Sequence, residues 1–378
     1  MRVLLTTPTF PPFNSGLGNA VARQAVQLAG RGVEVVVATG GVARASRFYQ
    51  NVRTEEFAVQ GADYLRNPIR GDVQSYREFV KNGNFDVIVM NAWQTWSTDL
   101  VLQDARDIAA AKVLYSHCIS TNSWPPIGWL RATAFYLLWR PYWWTLATKM
   151  RQLDAIVFLA DGGDDDRFDD LAVARRVGLP IFVVPNSIDD DTAAMSPAES
   201  RRQIISVGSF TPAKGFDFVL RAYSSSAAKN KIPLALFGQA ETPFVERLRR
   251  LASELGIEKS KLTFNFGVSG DQLMREYGRS LIFVSGSHTE CQPLVLLDAM
   301  RSGTPFVARA TGCISRMPGG VAVRTERAAS QEMSQLLANN SDWNYLSEAG
   351  RRAASGIYSS RRNTDLLLKV LEDVADRA

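Results

Sequence analysis

Two carboxylates eight positions apart, Glu290 and Asp298 in "ECQPLVLLD", frame an otherwise apolar run. Leu294, Val295, Leu296, Leu297, Ala299 and Met300 surround Asp298, which places a single acid on a largely buried helix. An unpaired buried carboxylate is costly, so Asp298 calls for a partner. A hydroxyl-rich ligand at the helix N-terminus would serve. Pro293 suits the first helical turn and Gly303 the C-cap, leaving Glu290 in the loop before the helix. Lys214 stands just before Gly215 as another helix begins. A lysine opposes the macrodipole there unless an anion is bound, so its preferred role is anion binding. His117 follows the strand "KVLYS", where an imidazole at the strand's carboxyl end would face a ligand cleft. Gly16 and Gly18 open a helical pattern and would let an anion approach backbone N–H groups; a plain glycine turn explains them as well.

Other chemistries fit less well. "GLGNAV" lacks the third glycine of a dinucleotide fingerprint, and the following strand ends in Thr39 and Gly40 rather than an acid. Cys118, Cys291 and Cys313 all follow strands, yet no C-x-x-C pair points to metal or redox work. Hydrolysis by Glu290 and Asp298 would need carboxylates ~5–9.5 Å apart, whereas eight helical residues span ~12 Å.

The elements that must position these residues are short β-branched runs alternating with helical patterns. "RVLLTT", "VEVVVAT", "DVIVM", "KVLYS", "DAIVFL" and "IFVV" lie before residue 185; "QIISVG", "LALFG", "LTFNFG", "LIFVS" and "PFVAR" follow it. Apolar runs without alternation suit strands buried on both faces, and their alternation with helices predicts βαβ units. A chain of 378 residues exceeds one compact core. The pause at "VPNSIDDD" therefore divides two doubly wound α/β domains, with ligand loops at the strand carboxyl ends and a cleft between them. The expected bounds are 1–185, 186–355, and a C-terminal helix over 356–378 that returns to the first domain.

Composition bounds the rest. The chain is 46% hydrophobic and 21% charged, as expected of a folded protein. Three cysteines point to a reducing compartment, and no apolar run reaches the ~20 residues of a membrane span or forms a signal peptide. A cytoplasmic location follows as the expectation. Forty-three basic against 38 acidic residues form no concentrated stripe, so nucleic acid is not an expected partner.

In this order, "P-x-F-P-P…G-x-G", "VPNSID", "VG-x-F-x-x-x-KG" and "E-x7-D…AM-x-x-G-x-P" resemble the retaining glycosyltransferases of family 4, which have the GT-B fold. The resemblance runs nearly the whole chain. It implies an N-terminal acceptor domain and a C-terminal nucleotide-sugar domain. It implies that Glu290 contacts the donor sugar, Asp298 the nucleotide ribose, and Lys214 the diphosphate. Gly16 and Gly18, Ser209, His288 and Leu294 would complete the donor site, with His117 near the reacting carbon. Such members commonly carry glutamate where Asp298 stands and arginine where Ser209 stands. The implied partners are a nucleotide-diphosphate-sugar donor and a hydroxyl acceptor, with neither cofactor nor metal. An epimerase of the same fold type, or a non-catalytic nucleotide-sugar binder, is the alternative.

One stretch exceeds these motifs. Residues 124–152 hold Trp124, Trp129, Trp139, Trp143 and Trp144, five of the chain's eight tryptophans, beside Arg131, Arg140, Lys149 and Arg151. Aromatic and basic residues together suit an anionic membrane interface, such as the inner face of the plasma membrane, and a lipid-linked acceptor of envelope glycan assembly. An aromatic core helix or an oligomer contact is the competing account. Pro141 is expected to break this helix.

Overall fold

The computed structural model describes residues 1–13, 15–62, 67–119, 129–189 and 200–377; of residues 129–137 it describes the helical backbone alone. The chain divides into two compact units, Met1–Asn186 with Ser360–Ala378, and Ser187–Ser359.

In the first unit, the strands β1 (Arg2–Thr6), β2 (Glu34–Gly40), β3 (Ala45–Tyr49), β4 (Val52–Phe57), β7 (Val87–Asn91), β8 (Ala111–Ser116), β9 (Ala155–Phe158) and β10 (Ile181–Val183) form one sheet. A small β5 (Val59–Gln60)–β6 (Arg70–Gly71) pair stands apart from it. The order in the large sheet is β10-β9-β8-β7-β1-β2-β4-β3, parallel except for β3. The central strands β1, β7 and β8 are buried nearly throughout, as strands covered on both faces must be. Strand order reverses between β1 and β7, so the loops after these two strands flank the switch point.

Four helices matter to the site in this unit: α1 (Gly16–Ala29), α3 (Trp96–Gln103), α4 (Trp129–Met150) and α5 (Asp169–Val177). The terminal helix α12 (Ser360–Ala375) packs on α1, with Thr364 Oγ1 3.0 Å from Gln27 Oε1 and Arg31 paired to Asp365 at 2.7 Å.

The second unit carries β11 (Gln203–Val207), β12 (Leu234–Gly238), β13 (Leu262–Phe266), β14 (Ser280–Ser285), β15 (Phe306–Arg309) and β16 (Gly320–Val323). Their order is β13-β12-β11-β14-β15-β16, all parallel. This is the Rossmann order, and its switch point lies between β11 and β14. Helices α6 (Phe216–Ser225), α9 (Leu294–Arg301) and α10 (Glu326–Ala338) follow β11, β14 and β16. A core of Ile204, Phe218, Val219, Leu236, Ile282, Val284, Val307 and Met333 holds α6 and α10 against the sheet.

Two features depart from the sequence expectation. In the β3–β4 hairpin, β3 is an edge strand with no buried residue and β4 buries polar Thr54 and Glu55 beside Val52 and Phe57, so neither shows the apolar run of a central strand. Its two-residue turn, Gln50 and Asn51, has φ of 45° and 68°, the left-handed pair such tight turns require. Pro141 does not break α4, which continues through it for 22 residues. The proline lies on the exposed side, while Trp139, Tyr142, Leu146 and Met150 bury the opposite stripe and hold the helix together.

Candidate functional site

The second unit assembles its polar loops at the switch point. After β11 the chain passes Gly208 and Ser209, makes a short turn over Pro212–Lys214, and enters α6 through Gly215. Gly215 has φ 60°, and a Cβ there would come within 2.0 Å of the Gly286 carbonyl oxygen; a Cβ on Gly286 would lie 2.2 Å from the Gly215 oxygen. Two glycines thus let the loops after β11 and β14 touch backbone to backbone. The His288 amide then donates to the Ala213 carbonyl at 2.9 Å, and the Lys214 stem crosses over Gly208.

The consequence is an ion pair between residues distant in sequence. Lys214 Nζ lies 2.6 Å from Glu290 Oε1, with both side chains partly buried. An ammonium has three protons, and Glu290 is its sole hydrogen-bond acceptor among the described residues. Two protons thus remain for an anion, and Glu290 Oε2 remains for a hydroxyl.

His288 is held on its other side. Arg309, at the carboxyl end of β15, donates from Nη1 to Nδ1 of His288 and lies 3.2 Å from Nε2. The guanidinium also rests 4.7 Å from the Phe218 ring centroid. Desolvation, then the neighbouring Arg309 charge, lowers the His288 pKa, so the ring stays neutral and accepts. Arg309 was not among the sequence candidates; its signal is a charged residue ending an apolar strand beside the switch point.

On α9, Pro293 stands at the N-cap with φ −71°, just outside the helix, not in its first turn. Leu296, Leu297, Ala299 and Met300 are buried. Leu294, Val295 and Asp298 are half-buried and share one stripe, so Asp298 lies on a partly open face and not inside the core. Asp298 also has an interaction within the protein, which corrects the inference that a ligand must be its partner. Ser209 is exposed, its Oγ 3.5 Å from Thr211 Oγ1.

The first unit holds its own polar constellation. His117 Nε2 lies 3.3 Å from Asn91 Oδ1, and its ring stacks on Tyr115 at 4.9 Å between centroids. Asn91 Nδ2 donates to the carbonyls of Thr6 and Val89, at 3.2 and 3.4 Å, which fixes Oδ1 toward the imidazole. Nε2 is therefore assigned the proton, and Nδ1 keeps its lone pair. Desolvation lowers the His117 pKa to about 3, so the ring is neutral at pH 7.

Gly16 and Gly18 divide. A Cβ on Gly16 would meet nothing within 4 Å, so a ligand can approach there. A Cβ on Gly18 would lie 2.9 Å from the Thr9 carbonyl oxygen, and the Gly18 amide already donates to the Ser15 N-cap at 2.9 Å. Gly18 is a packing glycine whose amide is already engaged by the N-cap.

The aromatic segment is corrected in part. Trp124 lies outside the described residues, and Trp129 is described only as the start of α4. Trp139 is buried edge-on to Tyr142. Lys149 is no free surface cation: it pairs with buried Asp99 at 3.0 Å and lies over the Tyr142 ring. Tyr142 itself donates to Asp99 and accepts from the Gln94 amide. This stretch of α4 is therefore fastened to α3 and its preceding loop. Trp143 is half-buried, and Trp144, 75% exposed, faces outward. Among the described residues, no helix is long and apolar enough to cross a membrane and no group of three or more His, Cys, Asp or Glu is placed to hold a metal ion.

Known proteins resemble this chain in sequence or in fold. MMP alpha-(1->4)-mannosyltransferase of Mycolicibacterium hassiacum is 26% identical over 219 residues, 55% of this chain. The match spans only 51% of that relative's length. Sucrose-phosphate synthase from Thermosynechococcus elongatus superimposes with a TM-score of 0.79 at 15% identity, covering 100% of both chains. Anabaena HepE in complex with UDP does so with a TM-score of 0.70 at 14% identity, covering 99% of this chain and 100% of that one. At such identities the likeness is one of fold. The fold is the GT-B type, two Rossmann-like units, and residues 187–353, nearly all of the second unit, match the family model described as Glycosyl transferases group 1.

Proposed function

We propose that this protein is a glycosyltransferase that moves a sugar from a nucleotide-diphosphate-sugar donor to a hydroxyl acceptor with retention at the anomeric carbon. The observation that carries this reading is the Lys214–Glu290 pair at the switch point of a unit matching a glycosyl transferase model. UDP in the similar HepE structure supports a nucleoside diphosphate as the ligand class.

In this reading the two free Lys214 protons bind the leaving diphosphate, while Glu290 accepts from a donor-sugar hydroxyl. Leu294 packs beside the nucleotide, Asp298 reaches its ribose, and His288 and Ser209 border the diphosphate. The bond between the anomeric carbon and the diphosphate oxygen breaks with its electron pair going to that oxygen. The acceptor oxygen bonds to the same face of the carbon, and its proton passes to the departing phosphate. A lysine held by Glu290 meets the developing charge without reorganising, a contribution of ~3–4 kcal/mol for such a preplaced donor. Neutral His117 offers Nδ1 as an acceptor to a hydroxyl, and Gly16 leaves its backbone open to a ligand. Charge on the leaving group is met by these residues without a metal ion, so transfer persists in chelator.

The acceptor is proposed to be a lipid-linked or envelope glycan, approached from the cytoplasmic face of a membrane through exposed Trp144, with Trp143 beside it. Vesicles containing anionic lipid should retain the wild type and release Trp144→Ala; equal retention removes the membrane from the account. The test of the function itself is product formation from a panel of nucleotide-sugars with and without hydroxyl acceptors. Acceptor-dependent release of nucleoside diphosphate, with the anomeric configuration kept, is expected. Conversion of the donor alone would favour an epimerase. Binding without turnover would favour a non-catalytic protein, a reading to which exposed Ser209 in place of a cation lends weight.

A further inference from the structure

We propose that Asp170 is a positioning residue for His117, acting through Ser116 and Trp93, an assignment that rests on His117 belonging to the transfer site. Asp170 sits in the first turn of α5 and is 0% exposed. Its Oδ2 accepts from Trp93 Nε1 at 2.8 Å and from Ser116 Oγ at 2.6 Å. These donors come from neighbouring strand ends. Ser116 closes β8 and directly precedes His117; Trp93 follows β7 by two residues, and the last residue of β7, Asn91, is the hydrogen-bond partner of the imidazole. One carboxylate oxygen therefore ties together the two chain segments that hold the ring.

Those segments need a tie. Ala92 and Gln94 have φ of 71° and 59°, left-handed values that residues with a side chain keep only where their surroundings impose them. Such strain concentrates at functional sites. The tie itself is expensive for the fold. Asp170 is fully buried, and among the described residues no cation is among the partners of Oδ2. An apolar residue would avoid that cost but leave the buried Trp93 and Ser116 donors without an acceptor, so the acid serves as the one acceptor that joins both segments.

The experiment uses the full chain and its small histidine count. His117 and His288 are its two histidines, so the imidazole C–H signals of the NMR spectrum belong to two residues, and His288→Gln assigns them. Asp170→Leu removes both hydrogen bonds. Asp170→Asn keeps an oxygen where Oδ2 stands and accepts from both donors. The leucine variant is expected to displace the His117 signals, leave those of His288, and lower kcat roughly ten- to hundredfold with the donor KM within about twofold, as a misplaced catalytic group does. Asparagine should restore both signals and rate. Should the leucine variant fail to fold, Ser116→Ala and Trp93→Phe each remove one donor and carry the same readouts. His117 signals and kcat unmoved in folded Asp170→Leu, or in both single-donor variants, overturn the proposal. His117→Ala, assayed alongside, separates the two layers. If it turns over like the wild type, His117 leaves the site and the assignment of Asp170 falls with it. If it is inactive while the Asp170 variants behave as wild type, the assignment of Asp170 alone is lost.

Discussion

Lys214 Nζ and Glu290 Oε1 lie 2.6 Å apart, 76 residues apart in sequence, at the carboxyl ends of adjacent strands β11 and β14. The pair forms because Gly215 and Gly286 let their loops meet, and because the His288 amide locks to the Ala213 carbonyl. Cation and carboxylate are thereby held together at the place where an open α/β sheet binds ligands.

The two members should fail differently. Glu290→Gln keeps a hydrogen-bond acceptor for the sugar but frees the lysine from its counter-charge. Nucleoside diphosphate affinity should hold or rise while kcat falls by roughly 10²-fold or more, the scale of a lost preplaced polar contact. Calorimetric titration and steady-state rates on one preparation check this. A parallel loss of affinity would place Glu290 in nucleotide binding instead.

Gly215 and Gly16 make a contrasting pair. Gly215→Ala meets the Gly286 oxygen and a left-handed φ together, so urea unfolding should show a loss of at least ~1–3 kcal/mol. Gly16→Val adds a side chain into open space at the first position of α1, so stability should change little. Donor KM should nevertheless rise if the diphosphate passes there. Wild-type kinetics in Gly16→Val would remove that loop from the donor path.

Stability against pH separates two buried groups of opposite sign. Burial raises Asp170 from 3.8 to about 6, against the hydrogen bonds from Ser116 and Trp93. The folded state then keeps a proton that the unfolded chain releases, so this group's contribution falls as pH rises through that window. Burial lowers His117 from 6.5 to about 3, so its contribution is lost as pH falls below 6.5. Asp170→Asn should therefore exceed the wild type in Tm at pH 7.5 and lose the advantage near pH 4. His117→Gln should gain on the wild type as pH drops from 6.5. Tm curves of the three proteins from pH 4 to 8 test both signs.

Much of this was legible in the sequence, for a physical reason. Strands such as "DVIVM" and "LIFVS" are buried on both faces, so their apolar runs declare them, and the residues just beyond them, His117, Lys214 and Glu290, fall at strand carboxyl ends. The β3–β4 hairpin escaped because an edge strand is half solvated. Pro141 misled because burial on the far side of α4 outweighs one lost backbone hydrogen bond. Gly16 and Gly18 look alike in sequence and differ only in what surrounds them. Asp170 was invisible for a related reason: its partners are distant in the chain, and no spacing encodes a carboxylate shared between two strand ends.

The most direct test of the central claim is a thermal shift of the wild type and Lys214→Ala with UDP, GDP, ADP and TDP, each with and without chelator. One nucleoside diphosphate at a hundred times its dissociation constant should stabilise the wild type by ~2.7 kcal/mol, unaffected by chelator, and the variant far less at the same concentration. No shift with any of them, or an equal shift in Lys214→Ala, would contradict a donor site built on Lys214 and Glu290.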